Sequence, residues 1–98
     1  PEITMTGIAM ADLLPAWEAR DLAAIRAAFM ADAEKLAAAG ADFFVLPDNT
    51  AHIALEEAGA DFAIPCLQIA EVVAGKAEAE GYARIGILGT SWTMEGPV

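Results

Sequence analysis

Within the stretch VLPDNTAH, Val45 to His52, a carboxylate, an amide, a hydroxyl and an imidazole follow one another as Asp48, Asn49, Thr50 and His52. An apolar run comes just before them, so they fall where a buried strand hands over to a helix. Amide and hydroxyl donors at such a junction, aided by the free N–H groups of a helix start, grip an anion, and a carboxylate ligand also gains from the helix dipole. The same residues serve equally as a plain helix cap, with Asp48 or Asn49 accepting from backbone N–H groups. Asp48 and His52 lie four apart, so on a helix they would share a face and form an acid–histidine dyad or half of a metal pair. No third ligand has a matching spacing, so no metal is expected. A His one turn into a short helix is more commonly a structural hydrogen-bonder.

A second polar group, Thr90, Ser91 and Thr93 in GTSWT, follows another apolar run and carries the same ambiguity between cap and anion site. Trp17 is expected to pack, and Trp92 to wall a pocket. Cys66, after Pro65, sits among apolar residues, where a free thiol behaves as a small hydrophobe. GILGTSW lacks the spacing and the lysine of a phosphate-binding loop, and there is no G-x-S-x-G elbow.

The elements that would position these groups alternate along the chain. EITMTGIAM alternates apolar residues as a short strand does. Pro15 reads as a breaker before a helix running from Trp17 to Ala39, with Leu22, Ile25, Phe29 and Leu36 on one stripe and Gly40 as its stop. DFFVLP is a continuous apolar run, the pattern of a strand buried on both faces. NTAHIALEEAG reads as a short helix closed by Gly59, and DFAIP as a second strand ended by Pro65. QIAEVVAGKAEAEG is a third helix, apolar at Ile69, Val72, Val73 and Ala77 and stopped by Gly81. ARIGILG is the last strand, and TSWTMEG starts a helix that Thr90 or Ser91 can cap. The repeat of AGADF at Ala39 to Phe43 and Ala58 to Phe62 reads as a shared helix-stop, strand-start geometry rather than a duplication. The whole predicts an α/β fold, a three-layer sandwich on a short parallel sheet. Ligands in such sheets gather at the carboxyl ends of the strands, where PDNT and GTSWT fall.

Composition narrows the partners. The chain has 98 residues and a formal charge of -10, from five Lys and Arg against fifteen Asp and Glu. That charge repels phosphate backbones and anionic membranes, so neither nucleic acid nor a membrane is an expected partner. One cysteine forms no internal disulfide, which fits a reducing, cytoplasmic location. The apolar runs stop short of the ~18 residues that span a bilayer. Hydrophobic residues make up 57% of the chain, with a mean hydropathy of +0.46. This is high for a small domain with a large surface to keep wet. Part of that apolar surface is therefore expected to face further protein. The start at Pro1 and the close at Val98, shortly after a helix start, fit the same expectation: residues 1–98 read as a single partial α/β lobe of a longer chain.

Three segments together resemble the aspartate/glutamate racemase family of cofactor-independent enzymes. LPDNTAH is similar to the family's Cys-Asn-Thr-x-His motif. IPCLQIAEVVA is similar to its Ile-Pro-Leu-Leu-His-Ile-Ala segment, and GYARIGILGTSWTMEG to its strand ending in Leu-Leu-Gly-Thr followed by Thr-Met. The resemblance implies a two-lobe fold of which this chain supplies one incomplete lobe, with the second catalytic base on the other lobe. It implies an isomerase that moves a proton at the α-carbon of a small carboxylate or amino acid without a cofactor, with a homodimer as the usual assembly. Carried over residue by residue, Asn49 and Thr50 hold the substrate carboxylate and Thr90 is the strand-end threonine beside it. Thr93 completes the polar floor and His52 orients its neighbours.

The sequence departs from the family pattern at three places. The first catalytic cysteine falls on Asp48, the middle-motif histidine falls on Gln68, and Cys66 stands where an aliphatic residue is usual. Asp48 thereby takes the place of the proton-transfer group, as general base or acid. An ordinary carboxylate is a weaker base than an ordinary thiol by about 4 to 5 pKa units, roughly 6 kcal/mol of proton affinity. Burial in a dry cleft recovers part of that difference. A decarboxylase or a cis–trans isomerase of a dicarboxylic acid on the same fold is the alternative reaction. A non-catalytic carboxylate-binding protein is the alternative class.

Overall fold

A computed structural model describes residues 2–96; Pro1, Pro97 and Val98 lie outside the described residues. In chain order the elements are α1 (Met10–Glu18), α2 (Leu22–Ala38), β1 (Phe44–Val45), α3 (His52–Leu55), β2 (Cys66–Leu67), α4 (Ile69–Ala79) and α5 (Ser91–Glu95).

The long helix expected from Trp17 to Ala39 is two helices. Pro15 lies inside α1, sixth of its nine residues, rather than before a helix; its fixed φ is helical, and the helix gives up the bond to the carbonyl four residues back. The break falls at Arg20, which adopts a left-handed φ of 56°. Its N–H donates to the Trp17 carbonyl and that of Asp21 to the Ala16 carbonyl, so a C-terminal cap normally built on glycine is built on arginine. Asp21 then starts α2 by accepting from the Ala24 N–H at 3.1 Å. Gly40 and Gly81, at φ 95° and 78°, close α2 and α4 with the same paired bonds, as expected from their positions.

The sheet is smaller than expected. β1 and β2 pair in parallel with Phe44 opposite Cys66 and Val45 opposite Leu67. Pro65 does not end the second strand but leads into it: having no N–H, it still offers a carbonyl, which accepts from the Phe44 N–H at 2.9 Å. DFFVLP is not buried on both faces, since Phe44 is buried while Phe43 and Val45 are exposed. The expected strands at EITMTGIAM and ARIGILG are not formed. Ile3, Met5, Ile85, Ile87 and Leu88 are all exposed, because apolar alternation yields a strand only where a neighbouring edge takes up its backbone groups. The described residues are thus a mixed α/β unit with a two-stranded sheet, not a three-layer sandwich.

The core lies between helices instead. α2 packs against α1 and α3, and the buried residues are Ile25 and Ala33 of α2 together with the run from Ala51 to Ala54. In α4 only Ala77 is buried; Val72 and Val73 face outward. Phe44 and Phe62 extend the core with ring centroids 5.6 Å apart. No helix among the described residues is long and apolar enough to cross a membrane.

Candidate active site

The loop after β1 is fastened at both ends. At one end Asp48 turns back on itself: its N–H donates to the Leu46 carbonyl, and its Oδ1 accepts from the Ala51 N–H at 3.2 Å. At the other end His52, fully buried in the first turn of α3, donates from Nε2 to the Leu46 carbonyl at 2.8 Å. Its Nδ1 is buried with no hydrogen-bond partner among the described residues. His52 therefore ties the exit of β1 to α3 and fixes the path of Pro47 to Ala51 between them. Asp48 and His52 do not form a dyad, because the exposed Asp48 carboxylate is turned to the Ala51 N–H and the buried His52 ring to the Leu46 carbonyl.

Asp48 and Asn49 are exposed on this loop, and Asn49 holds it through its backbone, its carbonyl accepting from the His52 N–H at 3.3 Å. Thr50 is half-buried and reaches across to the other motif. Its Oγ1 lies 2.8 Å from Thr90 Oγ1 and 2.8 Å from Thr93 Oγ1. Thr90 caps α5, accepting from the Thr93 N–H at 3.4 Å. Thr93 is 5% exposed, whereas Thr90 lies open to solvent. The two polar strand ends singled out in the sequence thus meet through three hydroxyls. Gly89 permits the approach: a Cβ there would lie 2.9 Å from Thr93 Cβ.

Two shallow depressions adjoin these motifs. One of about 180 Å³ is apolar and runs along Val45, Leu46, Pro47, Leu67, Ile69 and Val72. The other, about 270 Å³, is lined by Arg20, Ile53, Ser91, Trp92 and Glu95. Trp92 forms the wall expected of it, braced by Trp17 at a centroid distance of 5.2 Å and covered by the Arg20 guanidinium at 4.6 Å.

The departures from the family motifs have local roles. Gln68 caps α4 through its Oε1, which accepts from the Glu71 N–H at 2.9 Å. Cys66 is half-buried in β2, and burial pushes its thiol above the ordinary value, the setting of an inert thiol. No group of three His, Cys, Asp or Glu side chains among the described residues is placed to hold a metal ion.

One supporting residue escapes a sequence reading altogether. Arg26, 8% exposed, donates to the Leu55 and Ala60 carbonyls and lies over the Phe62 ring at 4.6 Å, closing the end of α3. A charged residue in an alanine-rich helix reads as solvated, and only the glycine at 59, whose Cβ would press on the guanidinium at 3.1 Å, hints otherwise.

The family model for Asp/Glu/Hydantoin racemases matches residues 1–98, and the chain belongs to that family. No solved structure matches it.

Proposed function

We propose that the protein is a cofactor-independent isomerase that moves a proton at the α-carbon of a small carboxylic or amino acid. Asp48 is the proton-transfer group. Asn49, Thr50 through its backbone N–H, and Thr90 receive the substrate carboxylate, Thr93 backs them, and His52 holds the loop in place. As the α-proton leaves, negative charge grows on the carboxylate oxygens, where preset hydroxyl and amide donors stabilise it most. In this reading residues 1–98 are one lobe of a two-lobe, homodimeric, cytoplasmic protein, and the second base comes from outside them.

The observation that carries the reading is the meeting of Thr50 with Thr90 and Thr93, which joins the two family motifs in one polar cluster. The test is proton NMR of the full-length protein in D2O with aspartate, glutamate and a 5-substituted hydantoin, with Asp48→Asn as control. Loss of the α-proton signal that stops in the variant is the expected result. Binding with no exchange of any substrate would overturn it.

A second reading draws on Asp48 itself, which is exposed and has one oxygen held by the Ala51 N–H. That setting suits a carboxylate-binding protein without turnover. Binding of a dicarboxylate with its α-protons and chirality intact marks this case, and release of CO2 marks a decarboxylase.

A further inference from the structure

The three hydroxyls are not equivalent, and counting their protons shows why. Each carries one proton, and the contacts of Thr50 with Thr90 and Thr93 use two of the three. The position of the third depends on which way the chain of bonds runs. Were Thr90 to donate to Thr50 and Thr50 to Thr93, the spare proton would sit on Thr93. That residue is 5% exposed, and its Oγ1 has no other partner among the described residues. A buried donor would be left unsatisfied, the arrangement folded proteins avoid. Were both neighbours to donate to Thr50, the proton of that half-buried hydroxyl would point away from both, with no acceptor among the described residues.

The remaining arrangement leaves no buried proton without an acceptor. Thr93 donates to Thr50, and Thr50 donates to Thr90. Thr90 Oγ1 then accepts twice, from Thr50 and from the Thr93 N–H at 3.4 Å. Both its lone pairs are occupied, and its own proton is free at the exposed end of the chain. Bonds in series also polarise one another, which strengthens the last donor.

We propose that Thr93 is a positioning residue that sets this direction, so that the cluster presents one outward O–H, on Thr90, and accepts nothing in return. The proposal rests on reading the site as one that binds a carboxylate, because an oxyanion is the ligand that a donor-only hydroxyl selects. Thr93 acts wholly through Thr50 and never touches the ligand. Gly89 belongs to the device, since a Cβ there would lie 3.0 Å from Thr93 Cγ2 and 3.4 Å from its Oγ1.

Two measurements on the full-length protein test it. Neutron diffraction from deuterated crystals is expected to show the Thr93 deuteron toward Thr50, the Thr50 deuteron toward Thr90 and the Thr90 deuteron pointing out. A Thr90 deuteron aimed at Thr50 overturns the proposal whatever the reaction proves to be. In calorimetric titrations, Thr93→Val is expected to weaken L-aspartate by about three- to tenfold. The melting temperature should change little, and Thr93→Ser should restore the affinity. If Thr93→Val binds as the wild type does while Thr90→Val binds weakly, the positioning role is refuted. Absence of L-aspartate binding in the wild type, with the deuterons placed as expected, instead refutes the carboxylate reading and leaves the hydroxyl order standing.

Discussion

Thr50 and Thr90, 40 residues apart in the chain, hold their Oγ1 atoms 2.8 Å from one another, and through that contact the loop after β1 is joined to the start of α5. The Thr50 hydroxyl is not needed to form its own element, since α3 and the turn before it are held by Asp48 and His52, and Thr90 lends α5 only a long capping bond of 3.4 Å. The pair is therefore expected to matter for ligand more than for folding. Thr50→Val and Thr90→Val should each weaken L-aspartate by about tenfold, the worth of one hydrogen bond to a charged group. The double variant should fall little further, because each single change already disables the shared donor. Calorimetry on the four proteins decides the matter: multiplicative losses would mean that the hydroxyls act separately.

Arg26 is the converse, a residue whose removal should damage the fold. Its guanidinium donates to two carbonyls that no other group among the described residues reaches, at the end of α3 and in the loop beyond it. Arg26→Met keeps the aliphatic packing but leaves both carbonyls unpaired, and a loss of about 2–4 kcal/mol is expected in urea unfolding. Arg26→Lys should recover only part of it, because one ammonium cannot match the fork of a guanidinium. A loss below about 1 kcal/mol would show that water takes over both carbonyls.

These two cases mark what a linear reading reaches. Thr90 as the cap of α5, the Gly40 and Gly81 stops and the starts of α4 and α5 are legible because each depends on a residue and its immediate neighbours. The strands expected at EITMTGIAM and ARIGILG are not formed, because a strand is a statement about a partner edge, and none among the described residues takes them up. Pro15 and Arg20 exchange their expected roles for a related reason. Pro15 sits in the second turn of α1 at the cost of a backbone bond, while the stop at Arg20 rests on a left-handed backbone and its paired bonds rather than on residue type. Arg26 has no local signature, since its use depends on carbonyls 29 and 34 residues away.

Cys66 gives a pH-dependent prediction. Burial holds its thiol above the ordinary range, and the thiolate is the species that alkylates. Iodoacetamide should modify the folded protein severalfold more slowly than free cysteine near neutral pH. The rate should keep climbing through the alkaline range where free cysteine has levelled. The unfolded chain releases this proton at lower pH than the folded one, so stability should be flat below the ordinary thiol range and fall as pH rises through it. Cys66→Ser should remove that alkaline fall. Modification as fast as free cysteine at neutral pH would contradict the buried setting.

Arg20 combines a cost and a gain in one residue. A side chain at a left-handed φ of 56° costs about 1–2 kcal/mol, and the guanidinium over Trp92 returns about 0.5–1 kcal/mol at an exposed site. Arg20→Ala keeps the strain and loses the stacking, so it should destabilise by about 0.5–1 kcal/mol. Arg20→Gly loses the stacking but relieves the strain, partly offset by the greater freedom of glycine in the unfolded chain. It should therefore be more stable than Arg20→Ala by about 0.5–1 kcal/mol. Thermal unfolding ranks the three proteins, and tryptophan fluorescence reports the uncovering of Trp92 in both variants. If alanine proved the more stable of the two, the helix stop at residue 20 would not require a left-handed backbone. Arginine would then be present for Trp92 alone.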